Sequence, residues 1–153
     1  MVFNACIQKT VNTRLAIRNG FYQVVQTDSV IANTHPKQTG CIVIRFDTLF
    51  NPGDYSMVVI DTTDFVPLDL EMDPEVLPQD DHKKLLSVSL TPFAATKMKN
   101  FSAARVMKHV ALVLDGKAIT MHKIKEAITG NNIQITRCND NACEYLYTKM
   151  KDR

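Results

Sequence analysis

One segment constrains the fold more than any other. His109-Val-Ala-Leu-Val-Leu114 runs into Asp115-Gly116 and back out through Lys117-Ala-Ile-Thr120. A strand this uniformly apolar belongs at the centre of a sheet or is covered on both faces. Asp-Gly suits the two positive-φ positions of a tight hairpin turn. The chain must therefore build a buried hairpin here and find partners to enclose it.

The flanking residues supply candidates. Leu85-Leu-Ser-Val-Ser-Leu90 alternates as a strand does. Thr91-Pro92 then starts a helix, with Thr91 at the N-cap and Pro92 at the first helical position, where its missing N–H costs nothing. That helix places Phe93, Ala94, Met98, Phe101 and Ala104 on one face. His122 to Ile128 reads as a short amphipathic helix or turn, stopped at Gly130, and Ile133 to Thr136 as the last strand. Asn139 or Asp140 caps a final helix with Ala142, Cys143, Leu146 and Met150 along one side.

Upstream, residues 1–19 are polar and weakly periodic and read as a flexible lead. Gly20–Asp28, Cys41–Phe46 and Tyr55–Ile60 read as strands, the last two forming a hairpin about Asn51-Pro-Gly-Asp54. Asp61–Lys84 is acidic and punctuated by Pro67, Pro74 and Pro78, which predicts a surface loop with short extended pieces. The expected architecture is α+β: a mainly antiparallel sheet with two helices packed on one face, in split-βαβ order, as one domain over 20–153.

Composition removes several functions. The net charge is +2 and the basic residues are scattered, so no stripe tracks a nucleic-acid backbone. Lys97, Lys99, Arg105 and Lys108 read as a solvated helix face. No apolar window is long enough to span a bilayer, and no complete signal peptide is present. Cys6, near the start, reads either as a lipid attachment site left after trimming or as an ordinary cysteine. Cys138 and Cys143 could close a small disulfide loop or remain thiols, and a zinc site there lacks two further ligands.

Nothing in the sequence assembles a catalytic set. His35, His82, His109 and His122 are the histidines, and the hairpin could bring His109 and His122 to one end of the sheet. No third ligand or nucleophile accompanies them. There is no G-x-S-x-G elbow and no glycine-rich phosphate loop, so the expectation is a non-enzyme without cofactor or metal. The acidic residues 61–81 lack calcium-loop spacing.

The order Leu85-x-x-Val88-x-Leu90-Thr-Pro, helix, Val110-Ala-Leu-Val-Leu-Asp-Gly-Lys-Ala-Ile-Thr120, Ile124-x-x-x-Ile128-Thr-Gly130, Ile133-x-Ile135-Thr136 resembles the head subdomain of the first periplasmic region of SecD. The likeness covers roughly residues 85–150. Asn131 stands where the family has a second Gly, and Arg137-Cys138 where it usually turns through Gly. The resemblance implies the head fold, a cell-envelope location and contact with peptide. It does not imply the proton-driven motor, whose membrane helices this sequence lacks. Stand-alone envelope proteins of Bacteroidetes type that carry this head are an analogue.

The functional expectation is an interaction domain of the periplasm or outer cell envelope, with Cys6 as a candidate lipid anchor and the cytoplasm as the alternative location, that takes a peptide or protein partner and no nucleic acid. Strand addition at a sheet edge is the expected mode. The polar–apolar alternation of Gly20–Asp28 and Ile133–Thr136 nominates them as edges, with Phe21, Gln23, Gln134 and Thr136 as contacts. Two alternatives are a soluble inhibitor that masks a toxin through the acidic segment, and a small metal-dependent or histidine-based hydrolase using His109 and His122.

Overall fold

A computed structural model describes residues 17–27, 40–47, 56–79, 83–138 and 140–151. In chain order the elements are β1 (Gly20–Thr27), β2 (Cys41–Arg45), β3 (Met57–Pro67), β4 (Glu75–Pro78), β5 (Lys84–Ser89), α1 (Pro92–Ala103), β6 (His109–Leu114), β7 (Lys117–Lys123), β8 (Asn132–Cys138) and α2 (Asp140–Lys151). The fold is α+β, with antiparallel pairing between all these strands. The strands divide into two sheets, β2-β3-β1-β6-β7 and β4-β5-β8.

The β6–β7 hairpin forms as its turn chemistry requires. Asp115 and Gly116 take φ of 50° and 77°, the pair of left-handed residues that a two-residue turn needs. β6 alternates its side chains between two cores. Leu112 and Leu114 join a large apolar cluster with both helices and the three-stranded sheet. Ala111 and Val113 join a second cluster with Tyr22, Ile44, Phe46, Val58 and Ile60. The strand is thus covered on both faces. Each fully buried Leu contributes roughly 1.5–3 kcal/mol relative to exposure.

The five-stranded sheet curls until its two ends touch. Phe46, just past β2, bridges Ala118 of β7, and the Asp47 N–H donates to the Ala118 carbonyl at 2.8 Å. Register shifts in β1–β3 and in β6–β7 supply the bend. Tyr22 lies inside the curl, stacked on Phe65 at 4.9 Å, and its hydroxyl donates to the Arg18 carbonyl. Burial pushes that phenol above its usual range, partly offset by the nearby Arg18 charge.

The helix caps follow the sequence. Thr91 Oγ1 accepts from the Ala94 N–H, and Pro92 opens the helix. α1 buries Ala94, Met98, Phe101 and Ser102, whereas Phe93, expected in the stripe, is 69% exposed in the first turn, and Ala104 is exposed too. α2 buries Ala142, Cys143, Leu146 and Met150. Lys149 reaches Asp115 at 3.4 Å and fastens that helix to the hairpin turn.

Two segments depart from expectation. Asp61–Pro67 is not loop but the second half of β3, paired with β1 down to Gly20 opposite Pro67. Its β-branched and aromatic residues fit a strand, and the Asp61 carboxylate accepts from both the N–H and hydroxyl of Thr63. Farther on, β4 pairs with β5 as an edge strand bounded by Pro74 and Pro78, where a missing N–H is tolerated. The second departure is His122–Ile128. β7 continues to Lys123, and residues 124–131 are not helical. Lys108 accepts from the Ile124 N–H, and Ser102 Oγ accepts from the Ile128 N–H, so long-range partners replace helical ones.

The lead expected over residues 1–19 lies outside the described residues as far as residue 16, as does the Asn51–Asp54 turn. Its last three residues are tied in: Ile17 packs on the smaller cluster, and Asn19 bonds to the backbone N–H groups of Leu68 and Asp115.

Candidate functional site

β1 is not an edge. It lies between β3 and β6, so both rows of its backbone groups are used. Phe21 is buried in the large core, and the Gln23 side chain accepts from Arg105 Nε at 3.0 Å. Neither is offered to a partner along a free edge. The polar alternation that suggested exposure reflects a charged partner distant in sequence: Arg105 also pairs with Asp64 at 3.0 Å and covers the Phe101 ring.

β8 is a terminal strand of its sheet, paired with β5 alone. It carries a bulge, because Leu86 pairs with Thr136 and Ser87 with Gln134, leaving Ile135 extra. The freed Ile135 carbonyl receives His122 Nε2 of β7 at 2.9 Å. A carbonyl only accepts, so this ring nitrogen carries the proton. That bond ties an outer strand of one sheet to an outer strand of the other.

Beneath it is an apolar slot of about 110 Å³. Thr120 and His122 of β7 form one wall and Ile133 to Ile135 of β8 the other. Phe21, Met98 and Ile128 also line it. Pockets for drug-sized ligands run to roughly 300–1,000 Å³, so this slot has room for one apolar side chain and not for a cofactor. Ser102, fully buried, holds the Ile128 segment beside the slot. Its hydroxyl donates to the Lys99 carbonyl at 3.2 Å and accepts from the Ile128 N–H at 2.8 Å.

Sequence reasoning nominated Gln134, which is exposed and lines this slot. The Thr136 backbone belongs to the same strand. It missed Ser102 and the bridging role of His122. Register could have found the latter, since His122 stands opposite Val110 and so shares the face of Leu112.

The histidine pair does not form. His109 opposes Lys123, and Val110 opposes His122. Adjacent residues of a strand face opposite ways, so the two imidazoles lie on opposite faces of the sheet. His35 and His82 fall outside the described residues. Among the described residues no group of three His, Cys, Asp or Glu side chains is placed to hold a metal.

A larger cavity of about 420 Å³ opens at the start of β4 and β8, lined by Glu71, Asp73, Glu75, Ser87, Ser89 and Asn132 among others. It is polar and acidic, with no histidine, cysteine or lysine in its wall. Cys41 and Cys143 both stand in disulfides. Cys6 lies outside the described residues, and the side chain of Cys138 likewise. No described helix is long and apolar enough to cross a membrane.

Comparison with known proteins places this geometry. The family model for the SecDF P1 head subdomain matches residues 69–146. The SecD protein translocase subunit of Acidaminococcus fermentans is 41% identical over 46 residues, 30% of this chain. The chain spans 11% of that relative's length. A crystal structure of SecDF in a super-membrane-facing form superposes with a TM-score of 0.54 at 21% identity, covering 86% of this chain and 18% of that one. A structure of SecDF, described as a membrane component that enhances protein export, gives 0.53 at 19% identity, covering 89% and 61%.

Proposed function

Because this chain belongs to the SecDF P1 head subdomain family, we propose that it is a periplasmic, non-enzymatic domain that binds extended polypeptide. The observation that carries the proposal is the outer edge of β8 beside an apolar slot. An added strand would gain main-chain hydrogen bonds along β8, taking the Ile135 carbonyl from His122, and one of its apolar side chains would enter the slot between β7 and β8. One similar structure is described as a membrane component that enhances protein export, which supports an extended, unfolded polypeptide as the ligand class. Such binding requires no cofactor.

The test is fluorescence anisotropy with labelled, permanently unfolded protein and with short apolar peptides. The intact protein is expected to retain both. Thr120→Trp, which fills the slot from a half-buried position, is expected to abolish retention without changing the circular dichroism spectrum. If the intact protein retains no unfolded chain, the proposal fails.

Location in an oxidising compartment is supported by the disulfides at Cys41 and Cys143. We assign Cys138 as the partner of Cys143. Peptide mapping by mass spectrometry without reduction is expected to return the Cys138–Cys143 link. Recovery of Cys138 as a free thiol would overturn the assignment.

A further inference from the structure

At the end of α1 the chain adopts a conformation that its sequence does not favour. Met107 sits at φ 69°, in the left-handed region that glycine enters freely and a methionine does not. Two backbone bonds hold it there: the Met107 N–H donates to the Ile124 carbonyl at 2.7 Å, and the Ile124 N–H to the Lys108 carbonyl at 2.9 Å. Glycine would suit the backbone better, yet the position carries a long apolar side chain that is 61% exposed, beside Val106 at 42%. Strain kept at an exposed position points to a use for the side chain.

The surroundings say what kind of use. The same two bonds bring residues 107–109 against 123–125, and His109 pairs with Lys123. Lys108, Lys123 and Lys125 are all exposed and enter no ion pair among the described residues. The acid next in the chain is Glu126. At the other end of α1 the charge reverses. The Thr91 N–H bonds to the Asp69 carbonyl, and the Glu71 N–H to that of Ser89, which fixes exposed Asp69, Glu71, Asp73 and Glu75 near the helix start. α1 is about 18 Å long, so the domain carries an acidic end and a basic end, with apolar side chains exposed at both: Phe93 and Met72 at the first, Met107 and Val106 at the second.

We propose that the Val106–Lys108 turn, with Lys123 and Lys125, docks on the surface of an anionic phospholipid bilayer. The lysines would meet the lipid phosphates while Met107 and Val106 enter the interfacial layer. The acidic end would be repelled, so the charge reversal also sets orientation. A bilayer fits better than an acidic protein partner because the apolar residues project from the tip of a turn, a shape suited to entering a fluid interface.

The experiment is co-sedimentation of the full chain with vesicles of phosphatidylcholine alone and of phosphatidylcholine with phosphatidylglycerol. Binding is expected only with the anionic lipid and is expected to weaken in high salt. The triple change Lys108→Glu, Lys123→Glu, Lys125→Glu should lower it by about tenfold or more. Met107→Gly removes the apolar tip while easing the backbone, so it should fold at least as well and bind more weakly. Glu71→Gln with Asp73→Asn should leave binding unchanged or raise it. Equal binding to both vesicle types, or to neither, overturns the proposal. Unchanged binding by Met107→Gly together with the triple variant does so too. Capture of a poly-glutamate peptide without vesicle binding would assign the surface to an acidic protein instead.

Discussion

The two apolar clusters are assembled from different parts of the chain. The larger takes nearly all its residues from position 86 onward, with Phe21 and Val66 as its buried contributions from the first three strands. The smaller takes Tyr22, Ile44, Phe46, Val58 and Ile60 from those strands and borrows Ala111, Val113 and Ala118 from β6 and β7. The hairpin contributes large residues to one side and mostly small ones to the other. The larger cluster therefore rests on side chains inside the family-matched region. The smaller depends on upstream strands closing over a shallow face.

If the shared hairpin couples these clusters, the molecule melts as one unit. Leu112→Ala in the larger cluster and Ile60→Ala in the smaller should each cost about 2–5 kcal/mol. Both should shift a single denaturation midpoint, followed by circular dichroism and tyrosine fluorescence together. Two separated transitions in Ile60→Ala would break the comparison and divide residues 20–153 into two domains.

Gly20 sharpens it next. A Cβ there would lie 2.3 Å from the Val66 carbonyl oxygen, so Gly20→Ala must push β1 from β3, at about 1–3 kcal/mol. Chemical denaturation should show that loss. Ser102→Ala acts on the larger cluster alone. It leaves the Ile128 N–H without its partner, for a loss of about 1–3 kcal/mol, and hydrogen exchange at Ile128 should accelerate.

The smallest effect is at the rim. The Lys84 ammonium holds the Glu144 carboxyl below its usual range through a hydrogen bond. A depressed folded-state pKa stabilises above the unfolded value and is lost as pH falls through the folded one. Glu144→Gln should therefore be nearly silent in acid and measurable at neutral pH. The residue is exposed, so salt should shrink the difference. A larger effect in acid would reverse the assignment.

What could be read from the sequence was local. Asp115-Gly116, Thr91-Pro92 and the α2 stripe each carry their chemistry within a few residues, and the hairpin and both helices follow from them. What could not be read depends on distant partners. The polar residues of β1 suggested an edge because Gln23 finds Arg105, 82 positions away. Asp64 disguised the second half of β3 for the same reason. The helical spacing of His122–Ile128 gave way to bonds from Lys108 and Ser102. Half of the candidate site was legible, because β8 could be recognised as a short alternating strand. The slot was not, since it exists only where two sheets approach.

The position of β1 between β3 and β6 has a practical consequence. The family-matched stretch begins at residue 69, so a fragment cut there would lose the strand that covers one side of β6. Its naked backbone would be a template for pairing with another copy. Expressed alone, that piece should self-associate, and supplying the missing strand as a synthetic peptide should return it to a monomer.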